Sequence, residues 1–185
     1  MNKKIWIIIL IFVLLVGGYL WSFYNGLVKQ DQTIQGQWAQ VENQFQRRFD
    51  LIPNLVNSVK GAMAQEQKVF SDIADARTKY SGAQTINDKA TAATEVEGAL
   101  ARLIAIMENY PELKSVETVQ TLMAQLEGTE NRIAVERGRY NDEVKSYNTK
   151  IVALPGKWLA PMFGFSVKNY FEAAEGSETA PTVNL

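Results

Sequence analysis

Two residue types that carry much of protein chemistry, cysteine and histidine, are absent from this sequence of 185 residues. Their absence excludes disulfides, thiolate nucleophiles, imidazole general bases and zinc sites built on thiolate or imidazole ligands. Acid–base chemistry would have to rely on carboxylates alone, and the sequence contains neither a glycine-rich phosphate loop nor an Asp-rich metal loop. The sequence therefore predicts a protein that is not an enzyme and that has no metal site and no cofactor.

An excess of charge of either sign is also missing, because 19 Lys and Arg residues nearly balance 20 Asp and Glu residues. A protein that binds nucleic acid needs a basic surface to neutralise phosphates, so no nucleic-acid partner is predicted. The length leaves room for one membrane element and one further domain of moderate size.

One long apolar run is present near the N-terminus. The seventeen residues from Ile5 to Trp21 include no charged side chain, and Lys3 and Lys4 precede them. As a helix they would extend about 26 Å, which nearly spans a hydrocarbon core of about 30 Å. The run predicts a single-pass helix that contacts membrane lipid, within an anchor region of residues 1–24. A cleaved signal peptide has the same basic start and apolar run. An aromatic cluster typical of a membrane interface favours the uncleaved helix, and it consists of Tyr19, Trp21, Phe23 and Tyr24.

Basic residues on the two sides of this run predict its orientation. Lys3 and Lys4 precede the run, whereas Lys29 alone follows it within about twenty residues. Because Lys and Arg are enriched on the cytoplasmic side, the N-terminus is predicted inside. The expected location is thus the cell membrane, with the bundle more favourably placed outside the cytoplasm.

A stretch from Trp38 to Tyr80 carries apolar residues at a period of 3.5, which indicates a face that packs against other helices. All but two of its heptad positions are apolar or aromatic, the exceptions being Arg48 and Glu66. The positions are Trp38, Val41, Phe45, Arg48, Ile52, Leu55, Val59, Ala62, Glu66, Val69, Ile73, Ala76 and Tyr80.

Pro53 lies inside this stretch. A proline in a helix costs about 3 kcal/mol unless the helix bends. Because the residues around Pro53 lack turn chemistry and the heptad register continues past it, we expect a kink, with a true break as the alternative. Residues 25–37, which are rich in Gln, are predicted to form a connecting stalk or frayed helix.

Two further helices are predicted. Helix two begins near Asn87 as its N-cap and ends before Tyr110-Pro111. Helix three begins near Ser115, carries a second apolar heptad face and ends at Leu154-Pro155-Gly156. Residues 158–165 then crowd apolar side chains into a segment broken by Pro and Gly, which either caps the bundle or contacts a partner or lipid headgroups. Residues 172–185 are acidic and are predicted to be disordered.

Charged residues interrupt both heptad faces, Arg48 and Glu66 in the first and Glu130 and Arg137 in the second. A charge at such a position costs stability, and it can set the register by pairing across helices. These four residues either form interhelical polar layers or lie on a solvated flank, because a helix drifts from a strict heptad repeat.

Several motifs together resemble those of the LemA family of small bacterial membrane proteins. They are Tyr24-Asn25, WAQVENQFQRRFDLIPNLV at 38–56, NRIAVERGRYNDEVKSYN at 131–148, and Phe163-Gly164-Phe165 leading to Tyr170-Phe171. The resemblance implies an anchored, elongated α-helical bundle over residues 38–171, and it brings no catalytic residues. Some LemA-like proteins are associated with membrane organisation, and their genes often neighbour membrane-bound metalloproteases. Gly138 stands where the family usually has a basic residue.

The fold predicted is therefore all-α, with an N-terminal transmembrane helix and an up-and-down bundle of three long helices, or four if helix one breaks at Pro53. With three helices, residues 163–165 lie far from the membrane, and with four they return toward the bilayer. A continuous helix one would leave about 25 Å of apolar face without a neighbour from the same chain.

That surplus predicts a homo-oligomer, and the function predicted is a non-enzymatic, membrane-anchored scaffold of the bacterial envelope. The alternative is an accessory subunit or adaptor of a membrane protease or another membrane protein. The candidate surface for self-association or partner binding comprises Trp38, Val41, Phe45, Arg48, Ile52, Trp158, Phe163 and Phe165.

Overall fold

The computed structural model describes residues 3–171, so the predicted acidic tail lies outside the described residues. Within this range the chain forms helices and no strand, which confirms the all-α prediction. The elements are α1 (Lys3–Val59), α2 (Gln67–Gly82), α3 (Ile86–Met107), α4 (Pro111–Lys114), α5 (Glu117–Val152) and α6 (Gly156–Met162).

Helix α1 passes through Pro53 without ending and stops at Val59, so the prediction of a first helix continuing to Tyr80 is wrong. The break lies at residues 60–66, where Gly61 enters a turn. The amides of Ala62 and Met63 both bond to the carbonyl of Val59, and the amide of Glu66 bonds to that of Met63. Such tight bonds satisfy carbonyls at the end of a helix and allow the chain to reverse. Met63 is completely buried and closes the turn, while the expected heptad residue Ala62 is exposed.

The chain divides into two compact units, to both of which α1 and α5 contribute. The first unit contains residues 3–39 and 139–170. Here α1 and α5 are antiparallel, because the Gln30 amide donates to Ser146 at 3.2 Å and the rings of Trp38 and Tyr140 lie 5.6 Å apart. Residues 25–37 belong to α1, and they bury Leu27 and Ile34.

The second unit contains residues 40–138 and Phe171. Its four main helical segments, from α1, α2, α3 and α5, alternate in direction. Helices α2 and α3 are antiparallel, as shown by ion pairs that join Lys79 to Glu95 at 2.6 Å and Asp72 to Arg102 at 3.1 Å. This unit is thus an up-and-down four-helix bundle, in which each helix buries an apolar stripe against its neighbours.

Helix α3 begins two residues earlier than expected, because Thr85, and not Asn87, is its N-cap. The Thr85 hydroxyl accepts a hydrogen bond from the Asp88 amide at 3.1 Å and donates one to the Asp88 carboxylate at 2.7 Å. A threonine at this position satisfies a backbone donor that the helix itself leaves free. Asn87 lies inside the first turn and is exposed.

This assignment predicts that Thr85→Ala lowers the free energy of unfolding by about 1 kcal/mol, the usual cost of removing a capping hydroxyl. The measurement is urea unfolding of the full chain in a non-ionic detergent, followed by circular dichroism. Asn87→Ala is the matched control and should change stability by less than about 0.5 kcal/mol, as is usual for an exposed helical position. A larger loss for Asn87→Ala than for Thr85→Ala would contradict the assignment.

Candidate interaction surfaces

The five candidate residues from the first heptad face all lie in the interior. Trp38 is buried in the first unit, where it packs edge-to-face against Tyr140. Val41, Phe45, Arg48 and Ile52 are buried in the second unit. The chain's own helices cover this face, because the break after Val59 supplies the fourth helix that a continuous helix one would lack. The surplus apolar face that motivated the homo-oligomer is therefore absent from the described chain, and self-association itself stays a prediction.

Phe45 lies at the centre of an aromatic cluster in the second unit. Its ring centroid is 5.9 Å from that of Phe49, 5.7 Å from that of Tyr80 and 6.3 Å from that of Phe171. The Arg137 guanidinium lies over two of these rings, 4.4 Å from the centroid of Phe171 and 5.2 Å from that of Phe45. Burial, with a smaller contribution from the charge of Glu42, raises the pKa of Tyr80 to about 12. The Tyr80 hydroxyl therefore stays protonated, as is typical of a tyrosine in a core.

A layer of charged side chains crosses the second unit beside this cluster. Arg48 of α1 pairs with Glu130 of α5 and lies 3.5 Å from the carboxylate of Glu97 on α3. Arg137 of α5 also pairs with Glu97. The interhelical alternative is thus confirmed for Arg48, Glu130 and Arg137. Glu66 is not part of this layer, because it lies at the N-cap of α2.

Glu97 was missed in the sequence, although its neighbours on α3, Val96 and Leu100, mark that side of the helix as buried. Burial is the largest influence on this carboxyl and raises its pKa above the ordinary value, while the positive charges of Arg137 and Arg48 act in the opposite direction. Arg137 and Arg48 thus favour the ionised form of Glu97, which burial alone would disfavour. The arrangement specifies how α1, α3 and α5 align within this unit.

An apolar cavity of about 660 Å³ adjoins the layer, between α3 and α5. Leu100, Met107 and Met123 are among its lining residues, and the Arg48–Glu130 pair borders it. Within residues 3–171, no group of three Asp or Glu side chains is arranged to hold a metal ion.

The remaining candidates, Trp158, Phe163 and Phe165, lie in the first unit. Gly156 begins α6 in close contact with the end of α5, where an added Cβ would lie 1.8 Å from the Lys150 carbonyl oxygen. This contact buries Ala160 on the inner side of α6 and leaves Trp158 and Met162 on its outer side, with 66% and 78% of their surfaces exposed.

Phe163 and Phe165 both pack on Tyr24 of α1. Their ring centroids lie 5.4 Å and 5.8 Å from that of Tyr24. Gly164 between them has a φ of 80°, a left-handed conformation that glycine adopts without steric cost. Within the first unit, residues 163–165 thus lie against the part of α1 that directly follows the apolar run. This is the position expected for the four-helix topology. Phe163 and Phe165 thus contact the chain's own α1, although Phe163 stays 36% exposed, whereas Trp158 is largely exposed. Whether the segment caps the bundle or contacts a partner or lipid stays a prediction.

After this turn, residues 165–170 run back along α5. Asn148 donates to the Lys168 carbonyl and accepts from the Lys168 amide, both at 2.8 Å. The Tyr140 hydroxyl donates to the Asn169 carbonyl at 3.3 Å, and the Lys168 ammonium lies 2.6 Å from the Asp31 carboxylate. These bonds connect the segment to α5 and, through Asp31, to α1.

The apolar run of α1 is exposed except at the half-buried Leu20, and in the described part of the chain α1 alone is long and apolar enough to cross a membrane. These features define a class: an all-α bundle protein with a candidate N-terminal transmembrane helix. The sequence model of the LemA family matches residues 37–185, and the chain belongs to the LemA family.

Two relatives with similar sequences are named as magnetosome proteins. One is magnetosome protein MamQ 2 of Paramagnetospirillum magneticum, which is 29% identical over 182 aligned residues. Magnetosome protein MamQ of Magnetospirillum gryphiswaldense has the same identity over the same length. Both alignments cover 84% of this chain and 67% of the relative. The likeness therefore extends over most of both proteins.

Proposed function

We propose that this protein is a non-enzymatic, single-pass membrane scaffold that presents a helical bundle to other components of the bacterial envelope. The observation that carries this proposal is the apolar run of α1, in which every residue but the half-buried Leu20 is exposed, and which is part of one helix that ends at Val59. Lipid is the solvent that such a run requires, because water exposure of this many apolar side chains is unfavourable.

The interior of the bundle supports a scaffold more than a reaction centre. Its buried charges pair across helices, and its buried aromatic rings pack on one another. These contacts stabilise one arrangement of helices, which is what a rigid interaction platform needs. Two relatives are named as magnetosome proteins. A structural role at a membrane is proposed for this chain by analogy with them.

The charges on the two sides of the apolar run support one orientation of the protein in the membrane. Lys3 and Lys4 precede the apolar run and Lys29 follows it, which favours a cytoplasmic N-terminus and an extracytoplasmic bundle.

The experiment uses the absence of cysteine from the chain. A single Val135→Cys substitution, at a position with 53% of its surface exposed, gives a unique thiol in the bundle. We expect the intact mass of the protein to show that residues 1–24 are retained. We also expect this full-length protein to stay in the membrane after alkaline carbonate extraction. A membrane-impermeant maleimide should label the thiol on intact cells once the outer envelope is permeable to it.

The matched control is the same variant with residues 1–24 replaced by a cleavable signal peptide, which carbonate should release. Release of the full-length protein by carbonate would overturn the membrane anchor. Labelling only after the cytoplasmic membrane is opened would overturn the orientation, while leaving the anchor in place.

The alternative function, an adaptor for another membrane protein, is favoured by one feature, the exposed outer side of α6. Trp158 is the kind of large aromatic side chain that contributes most to protein interfaces. A photo-reactive group in place of Trp158 would identify such a partner in native membranes, and capture of lipid alone would argue against the adaptor.

A further inference from the structure

The outer side of α6 forms an apolar surface in the first unit. Trp158 and Met162 are four residues apart and lie on the same side of the helix. Val152 and Leu154, at the connection from α5 to α6, are exposed as well. We name these four residues the α6 surface. Exposed apolar residues at this density mark an interaction site in soluble proteins.

The position of the α6 surface relates it to the membrane. Phe163, the residue after α6, packs on Tyr24. Tyr24 lies three residues beyond Trp21, where the apolar run of α1 ends. Tyr and Trp at the end of a transmembrane helix lie at the level of the lipid headgroups. The aromatic contact with Tyr24 therefore brings the end of α6 to that level.

The charge around α6 matches a membrane surface. Residues 145–171 contain no Asp or Glu, and they contain four lysines: Lys145, Lys150, Lys157 and Lys168. The first three are exposed, and Lys168 pairs with Asp31. Basic residues beside a transmembrane helix are attracted by anionic lipids, and a Trp flanked by Lys is typical of segments that lie in the interface.

We propose that the α6 surface inserts into the headgroup region of the anionic bilayer that α1 spans, so that the first unit contacts lipid at two points. The occupant is lipid because Phe163, the residue after Met162, contacts Tyr24 near the apolar run, and because Lys150 and Lys157 place positive charge beside the surface. This inference rests on the proposed function, since it requires α1 to be in the membrane.

The test measures how deeply three positions lie in a bilayer. The full chain is prepared with one cysteine at a time, Met162→Cys, Val13→Cys or Val135→Cys, labelled with a nitroxide and reconstituted into vesicles of phosphatidylcholine and phosphatidylglycerol. Collision of the label with oxygen reports lipid, and collision with a water-soluble nickel complex reports water. The ratio of oxygen to nickel accessibility at position 162 should exceed that at position 135 several-fold and fall below that at position 13.

Charge is tested in the same vesicles. Lys150→Glu together with Lys157→Glu should lower the ratio at position 162 toward the value at position 135, and vesicles of phosphatidylcholine alone should have the same effect. The matched control is Lys60→Glu together with Lys114→Glu, two exposed lysines of the second unit, which should leave position 162 unchanged.

The outcomes separate the two proposals. Equal ratios at 162 and 135, with position 13 still in lipid, overturn the α6 inference and leave the membrane anchor intact. A water-exposed label at position 13 overturns the proposed function itself. A label at 162 that is shielded from both reagents and broadened by a neighbouring label shows that a second copy covers α6, and overturns lipid contact. A label that is water-exposed in vesicles but shielded in native membranes shows a protein partner and also overturns it.

Discussion

Arg48→Met is expected to lower the free energy of unfolding by about 2–3 kcal/mol. Methionine fills a similar volume, so the main change is the loss of positive charge between two carboxylates. Breaking a fully buried ion pair costs about 3–5 kcal/mol. The lower value applies because Glu97 keeps Arg137 as a partner, and because 43% of the Glu130 side chain is exposed and can be solvated. The measurement is urea unfolding of the full chain in a non-ionic detergent.

The control for this variant is Arg47→Met, the adjacent residue on the exposed side of α1. Its loss should be within about 0.5 kcal/mol, since exposed charges contribute little. A second check is the double variant Arg48→Met with Glu130→Gln, which should lose less stability than the sum of the two single variants. Equal losses for Arg48→Met and Arg47→Met would show that the layer does not stabilise the bundle.

Phe45→Ala should lower the free energy of unfolding by about 3–5 kcal/mol, because the side chain is completely buried among three other aromatic rings. The same variant should leave the mass of the solubilised protein unchanged, since no part of Phe45 is free to contact a second copy. Urea unfolding measures the first effect and light scattering the second, after subtraction of the detergent.

Val135→Ala is the matched control for Phe45→Ala, because Val135 is an exposed apolar residue of α5. It should change neither stability nor mass. Dissociation of an oligomer by Phe45→Ala, with unfolding unchanged, would restore the first heptad face as an interface between copies. The mass of the wild-type protein decides whether it self-associates at all.

The sequence predicts burial along the heptad faces more accurately than it predicts where helices end. Ile52, Leu55 and Val59 in α1, and Val69 and Ile73 in α2, are all buried as their spacing indicates. The turn after Val59 is not evident in the sequence, because the heptad register continues through it from Val59 to Val69. It also contains a single glycine among residues that favour helix. Proline, the stronger local signal, lies inside α1 at a position that the helix tolerates.

For the candidate interaction residues, too, the sequence predicts the residue type better than its position in the fold. Apolar residues at Trp38 and Phe45 and at Trp158 look alike in composition, yet the first two are interior and the third is exposed. The difference arises from contacts between residues far apart in the chain. The packing of Phe163 and Phe165 on Tyr24 holds the end of α6 against α1 and leaves Trp158 on the outer side. No local pattern records these contacts.

The pairing of Arg48 with Glu130 joins residues 82 positions apart in the chain, and this separation affects biosynthesis. A ribosome adds about 5–20 residues per second, so the first half of the pair leaves it on the order of ten seconds before the second. During that interval the buried face of α1 lacks the cover that α5 supplies, and the apolar run at the start of α1 is already available to the membrane insertion machinery. The nascent α1 therefore needs temporary protection, from a chaperone or the bilayer surface, until α5 has been made.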